Sequence, residues 1–444
     1  MTMKRRQFLR ESALTTAGAI IAPAYIHHAI SSPPSDQIRL GLIGAKGMGW
    51  ANLKSSLSHP NVKFTAIADI DQQVLTQRST ESEKQYGYTP RTYNDYREML
   101  DAPDIDAVII GTPDHWHCRM YADALEADMH VYVEKPMANS IEECEVMRSL
   151  SAKYSNSVIQ VGQWQRSGPH YQKAIDMVRS GVLGNIRLVK CWSYQGWMGE
   201  LESKPDGPVP KGVDYEMWLG PAPKRPFNPN RFHFNFRWYW DYAGGLMTDW
   251  GVHEIDIALY AMDAVAPLSV LASGGKFAYP DDPTETPDTL QAVFEYDGFN
   301  MLWEHAVGID GGNYDRREGI AFIGNQGTLV VDRQGWDLIP ETTWRDGVRV
   351  NKIADIPLQT HDQDYLNFHT LNWIDCIRAA TPDAVNCGPD TGSVAAINAH
   401  MGNVAFKTGR KVYWDKVKGE FIDDQEANNL RSVTYHNGWK MPKV

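Results

Sequence analysis

Cysteine is scarce. Cys118, Cys144, Cys191, Cys376 and Cys387 are the only five in 444 residues. Their number is odd and no pair stands at ligand spacing, which excludes a disulfide framework or a cysteine-rich zinc site. An excess of basic residues is also missing. Lys plus Arg number 43 against 55 Asp plus Glu, a formal charge of −12. Nucleic acid is therefore excluded as a partner, because phosphate contacts need clustered cations. No apolar run reaches the length of a membrane span, so stable membrane insertion is not expected. Internal repeats are absent, and so are low-complexity segments past residue 35. What is present is an ordinary globular composition, 43% hydrophobic and 22% charged, in a chain long enough for two full cores.

Tryptophan is abundant, at 15. Trp192, Trp197, Trp218, Trp238, Trp240 and Trp250 fall in one short stretch. Two readings stay open: a well-packed core, or aromatic platforms that stack on the apolar faces of sugar rings.

The N-terminus reads as an export segment. Lys4-Arg5-Arg6-Gln7-Phe8-Leu9-Arg10 precedes a weakly apolar run over residues 13–24 and a Ser-Pro linker over 31–35. Arg5-Arg6 followed by Phe8-Leu9 resembles a twin-arginine signal, with Lys4 where Ser or Thr is usual. Cleavage after Ala24 and cleavage after Ala29 both remain open. The expectation is a periplasmic or otherwise exported protein that engages the twin-arginine machinery.

A strand, a glycine turn, a helix, a second strand and an acid follow in order. Ile38–Ile43 is a short apolar run of the kind buried in parallel sheets. Gly44-Ala45-Lys46-Gly47-Met48-Gly49 comes next, then a helical segment to Leu57. Val62–Ala68 ends in Asp69. This is the arrangement of a dinucleotide site. The glycines admit backbone to a pyrophosphate, the helix N-terminus offers free N–H groups, and the acid accepts from ribose hydroxyls. A carboxylate at Asp69 repels a 2′-phosphate, which favours NAD over NADP. Lys46 replaces the usual central glycine. Alternation continues with a strand over residues 105–110, a helix over 118–127, the strand His130–Val133, a helix over 141–154 and a strand over 157–162. Thr112, Pro113, His115 and His117 follow the strand ending at Ile110, and Glu134 and Lys135 follow the strand ending at Val133. Ligands sit at such carboxyl ends, so these residues are expected to line the cofactor. His115 and His117 have no third ligand at metal spacing, so no metal is expected.

Beyond residue 163 the pattern changes. A helix with Tyr171, Ala174, Ile175 and Val178 on one face precedes a strand from Ile186. Residues 196–229 are rich in Pro, Gly and Trp and read as an ordered loop over a cleft. A helix after Gly245 places Asp249, His253 and Asp256 on one face. Strand-like runs between residues 267 and 358 predict a large, mainly antiparallel sheet, followed by helices over 368–379 and 394–407. The expected organisation is an export signal and linker at 1–35, a Rossmann dinucleotide-binding domain at 36–162, a substrate-binding and oligomerisation domain at 163–415, and a tail at 416–444.

With these elements in place, the chain resembles the Gfo/Idh/MocA family, the glucose-fructose oxidoreductase and inositol dehydrogenase group. The resemblance rests on the nucleotide turn, on Glu134-Lys135-Pro136, on Gly245-Leu246-Met247-Thr248-Asp249-Trp250-Gly251-Val252-His253-Glu254-Ile255-Asp256, and on residues 402–410. It implies an α/β architecture, a Rossmann domain followed by an α+β domain with an open sheet, and a homodimer or homotetramer. By motif, Lys135 matches the family's catalytic lysine, Asp249 its acid and His253 its catalytic histidine. Arg166, Arg237, Trp238 and Tyr239 are further candidates for a sugar pocket, beside Asp249 and His253.

The chemistry implied is oxidation of a secondary hydroxyl of a sugar or glycoside, with NAD carrying the hydride. His253 or Lys135 takes the hydroxyl proton. Histidine suits this directly, whereas lysine needs desolvation and the positive cofactor to release its proton. An exported enzyme lacks free NAD, so the cofactor should stay bound and be recycled in place. A redox-neutral alternative is an NAD-dependent glycosidase that oxidises C3, eliminates the glycoside, adds water and reduces back. A non-catalytic sugar-binding protein on the same scaffold is a third.

Overall fold

The computed structural model describes residues 37–444. The expected export signal at 1–35 lies outside the described residues. The first sheet is built from β1 (Ile38–Ile43), β2 (Val62–Ala68), β3 (Arg91–Tyr93), β4 (Ala107–Ile110), β5 (His130–Val133) and β6 (Ile159–Val161). All its pairs are parallel and the order is β3-β2-β1-β4-β5-β6. The inner strands carry apolar runs because helices cover both faces. The order turns back between β1 and β4, and a dinucleotide binds at such a switch point. The carboxyl ends there lead into Gly44-Ala45-Lys46 on one side and Gly111-Thr112 on the other.

The second sheet has ten strands: β7 (Ile186–Gln195), β8 (Ser269–Gly275), β9 (Thr289–Glu295), β10 (Asn300–Val307), β11 (Glu318–Gly324), β12 (Gly327–Asp332), β13 (Gly335–Pro340), β16 (Ile356–Thr360), β17 (Val412–Asp415) and β18 (Glu420–Phe421). A separate hairpin holds β14 (Thr342–Arg345) and β15 (Val348–Asn351). The order is β16-β13-β12-β11-β7-β10-β9-β8-β17-β18. Every neighbouring pair is antiparallel except β7 with β10. Helices Pro169–Arg179, Gly251–Met262 and Pro389–Thr408 cover one face, where Trp303, Phe294, Phe322 and Ile255 form the main core.

The two domains interlock. Helix Tyr365–Ala379 packs against helix Gly47–Leu57, and its Trp373 and Ile374 belong to the core under β1 and β4. Residues 196–229 are ordered and include the short helix Tyr215–Leu219. The tail beyond Asp415, uninformative as sequence, is well placed in the fold. Trp439 stands edge-on to Trp116 with centroids 4.9 Å apart, and Asn437 Nδ2 donates to the carbonyls of Gly220 and Ala222. Among the described residues no helix is long and apolar enough to cross a membrane.

Candidate active site

The nucleotide turn is packed backbone against backbone. Gly44 has φ +81°, and a Cβ there would stand 2.8 Å from the Gly111 carbonyl. A Cβ on Gly49 would overlap the Gly44 carbonyl oxygen. Only hydrogens fit where the helix crosses the loops after β1 and β4. Gly47 differs, with φ +42° and open space around it. The helix Gly47–Leu57 starts there with no side-chain cap, so its first N–H groups stay free for an anion. Lys46 needs no glycine in its place. Its backbone is extended at φ −96° and ψ 173°, and its side chain is exposed beside the turn. Met48 is half-buried in the first helical turn.

Asp69 lies at the end of β2. Its Oδ2 accepts from Ala45 N at 2.8 Å and its Oδ1 from Asp71 N at 3.0 Å. Burial pushes its carboxyl up to about 6 in spite of those donors. Both oxygens keep acceptor capacity for ribose hydroxyls. The tight glycine crossing, the uncapped helix start and this acid together fit a dinucleotide.

The candidate catalytic residues meet beyond β5. Glu134 is buried and accepts from Asn52 Nδ2 at 2.6 Å and from Lys135 N at 3.2 Å, which ties the end of β5 to the nucleotide helix. The Lys135-Pro136 peptide bond is cis. Lys135 Nζ donates to the Asp249 carbonyl at 2.7 Å and to Asp249 Oδ1 at 3.0 Å. Arg237 Nε donates to the same oxygen at 3.2 Å. Burial raises the Asp249 carboxyl, but Lys135 and Arg237 outweigh it and hold it at about 2. Lys135 is thus ion-paired with a fixed carboxylate, which favours a donor's role over a base's.

His253 is buried and its ring makes no hydrogen bond to the protein; its Nδ1 is buried without a partner. Its ring stands edge-on to Trp164 at 6.0 Å and Trp250 at 6.2 Å. Burial first, then the charges of Lys135 and Arg333, push the imidazole well below the ordinary histidine range. It is a neutral ring within the field of Lys135, with its acceptor uncommitted.

Asp114, in the loop after β4, is not among the residues the sequence reading singles out. It is buried, and burial pushes its carboxyl up to about 8 against the pull of Arg237 and Lys135 and with the push of Asp249. Asp114 and Asp249 are thus pushed in opposite directions, one by burial and one by its cations. The position of Asp114 at a strand's carboxyl end was the available signal.

Other expected site residues stand elsewhere. His117 Nδ1 faces the Pro136 carbonyl at 2.8 Å and its Nε2 the Thr112 carbonyl at 3.0 Å, so the ring braces the two loops and offers no nitrogen to a cofactor. His115 is buried against Trp218 and Tyr242, and its Nε2 lies 3.0 Å from the Trp218 carbonyl. Neither ring lines the groove. Pro113 leads into their 3-10 turn, and Thr112 Oγ1 is buried without a partner. Arg166 is held by Asp256 through bonds of 2.7 and 2.8 Å and stacks on Tyr260, apart from Lys135 and Asp249. The single helical face expected for residues 249, 253 and 256 is broken, because Trp250 separates helix Gly245–Asp249 from helix Gly251–Met262. Tyr239 is 2% exposed and packs with Trp218, Trp238 and Tyr242 in an aromatic core.

Most of the tryptophan stretch is core, but Trp197 is 63% exposed. It stands at a solvent-open pocket with about 600 Å³ of free space, shared with Phe234, Asn235, Trp238, Asp282 and Asp288. Arg237 joins this pocket to the cluster, since its guanidinium lies 4.6 Å above the Phe234 ring while its Nε reaches Asp249.

Comparison with known proteins agrees with this architecture. The oxidoreductase family's NAD-binding Rossmann fold matches residues 38–163, and its C-terminal alpha/beta domain matches residues 172–441. The chain is 28% identical over 366 residues to an uncharacterized oxidoreductase, YrbE, of Bacillus subtilis, covering 81% of this chain and 92% of that one. It is 30% identical over 203 residues to an alpha-N-acetylgalactosaminidase of Shewanella oneidensis, covering 41% of this chain and 44% of that one. The solved structure of a levoglucosan dehydrogenase in complex with NADH has the same fold, with a TM-score of 0.63 at 19% identity over 85% of this chain and 99% of that one. With both domains matched over most of its length, the chain belongs to the Gfo/Idh/MocA family of oxidoreductases with an NAD-binding Rossmann domain.

Proposed function

We propose that this protein is an NAD-dependent dehydrogenase acting on a secondary hydroxyl of a sugar or glycoside, with its cofactor kept bound and recycled in place. One observation carries the reading. At the carboxyl end of β5, a lysine fixed by Asp249 lies within electrostatic reach of a neutral histidine whose ring has no hydrogen bond to the protein. Bound NAD supplies the acceptor for the hydride that leaves the substrate carbon. His253 takes the hydroxyl proton as the carbonyl forms. Lys135 donates to that oxygen and stabilises its developing negative charge. Asp249 holds the lysine and Arg237 in place, and Arg237 would bind a neighbouring hydroxyl. The aromatic pocket beside Arg237 suits the apolar face of a sugar ring.

Levoglucosan dehydrogenase shares the fold and supports a carbohydrate substrate. The likeness to an alpha-N-acetylgalactosaminidase favours a second reading, in which transient oxidation leads to elimination and hydration of a glycoside. The test uses protein purified without added cofactor. Its nucleotide is released and identified, and the holoprotein is incubated with sugars and aryl glycosides while 340 nm absorbance and product masses are followed. Reduction with a product two hydrogens lighter supports the dehydrogenase; released aglycone without net reduction supports the glycosidase. Lys135→Ala should keep NAD and lose about 10²-fold or more of turnover, as removal of an oxyanion donor does. Normal turnover in that variant removes Lys135 from the mechanism.

Export through the twin-arginine route is part of this proposal, supported by Arg5-Arg6 and the run that follows. Arg5→Lys with Arg6→Lys should hold the precursor in the cytoplasm, read by fractionation. A homo-oligomer joined through the open sheet is the remaining part.

A further inference from the structure

We infer that the second domain completes the dinucleotide site: residues 211–214 and His233 close its adenosine end and keep NAD from leaving between turnovers. This rests on the NAD reading of the groove and adds a wall to it that no sequence motif contains.

The contacts fall on the turn immediately after Asp69. Val213 forms an antiparallel bridge with Asp71. Gln72 N donates to the Gly212 carbonyl at 2.9 Å, and Asp214 N donates to the Ile70 carbonyl at 2.9 Å. A short piece of the second domain is thus paired, backbone to backbone, with the segment that follows the expected ribose-binding acid. His233 adds a side-chain latch, with its Nε2 2.9 Å from Asp71 Oδ2. Asp71 in turn donates its N–H to Asp69 Oδ1 and caps helix Gln72–Tyr86 through Gln73 N. His233 also lies close enough to Lys46 to feel its charge. Lys46 lies on the glycine turn and Asp71 beyond β2, so His233 is held, through Asp71, at the segment that carries Asp69.

The two arms that flank the closing segment are joined to each other. Asn228 Nδ2 donates to the Lys204 carbonyl and to Asp206 Oδ1, both at 2.9 Å, and Lys204 N donates to Asn230 Oδ1 at 2.8 Å. A second anchor lies toward the β4 loop, where the Trp218 carbonyl accepts from Trp116 Nε1 at 3.0 Å and faces His115 Nε2 at the same distance. That contact gives His115 a role in place of the expected one. The excursion is fastened to the nucleotide domain at two points. A ligand beneath such a strap leaves only when its contacts open, so the opening step limits release even where groove contacts are modest.

The experiment measures NAD release from purified holoprotein. Nucleotide that appears after rapid dilution into an NAD-scavenging enzyme is followed in time. The parent, His233→Ala and His233→Gln are compared, and hydrogen exchange is read at the amides of Gln72 and Asp214. His233→Ala should release NAD at least tenfold faster, and His233→Gln, which still reaches Asp71 with a donor, should recover most of the slow release. In the parent, both amides should be protected and slow further when NAD is bound. Equal release rates in all three proteins, or fast exchange at both amides with NAD bound, overturns the inference and leaves the NAD reading intact. Protein that holds no NAD and binds none overturns the NAD reading itself. If His233→Ala proves unstable, the glutamine variant and the exchange data decide.

Discussion

Asp249 and Asp114 are the same residue type in one site, with opposite protonation. Asp249 is held at about 2 because two cations outweigh its burial, and Asp114 is pushed up to about 8 because burial wins. An exposed aspartate titrates near 3.9. As pH rises past that value the unfolded chain releases the Asp114 proton first, so the folded state loses stability between about pH 4 and pH 8. The sign is reversed for Asp249. Its depressed value adds stability that is present at neutral pH and lost as pH falls from about 4 toward 2. Asp114→Asn keeps the shape and removes the titration. Its stability relative to the parent should increase from pH 5 to pH 8 by ~3–4 kcal/mol, measured by denaturant unfolding at saturating NAD. A difference that does not change with pH would show that Asp114 is ionised in the fold. Asp249→Asn should do the opposite kind of damage, leaving Lys135 and Arg237 without a counter-charge at neutral pH.

The nucleotide-binding elements were legible because each is defined locally. β1, β2 and β5 are short, mostly apolar runs that are largely buried, and their bounds follow from composition. The Lys135, Asp249 and His253 motifs were legible for the same reason. Helix Gln72–Tyr86 was not, since only Val74, Leu75 and Ser82 are buried and no apolar stripe marks it. β14 and β15 form a largely exposed hairpin with no core face to read. The break at Trp250 was hidden because residues on either side keep helical composition. The pairing of Arg166 with Asp256 spans 90 positions, and nothing local signals it. The glycine turn tests how far local reading goes. Gly49→Ala puts a methyl into the Gly44 carbonyl and should cost about 1–3 kcal/mol and most NAD affinity. Gly47→Asn meets open space in a conformation that asparagine tolerates, and should cost about 1 kcal/mol or less. Thermal unfolding and NAD titration compare the two. Equal damage from both would mean that backbone conformation, and not the crossing of loop and helix, demands the glycines.

At the scale of the whole molecule, one face of the ten-stranded sheet is covered by helices and the other carries an apolar row. Leu271 on β8, Val293 on β9 and Leu302 on β10 stand side by side in register, with Leu271 46% and Val293 39% exposed. Ile339 on β13 and Tyr413 on β17 are exposed as well. Clustered apolar side chains on an open sheet mark a surface that a second copy can cover. Lys135, Asp249 and His253 and the glycine turn stand instead on helices and on loops after the strands of the first sheet. Assembly and cofactor retention should therefore separate. The parent should run as a dimer or tetramer by native mass spectrometry at micromolar concentration. Leu271→Glu with Val293→Glu sets like charges directly opposite each other on this face and should give monomers that still carry NAD. A parent that is monomeric at that concentration, or a double variant that stays assembled, would exclude this face as the interface. Loss of NAD from well-folded monomers would instead mean that assembly also supports the nucleotide groove.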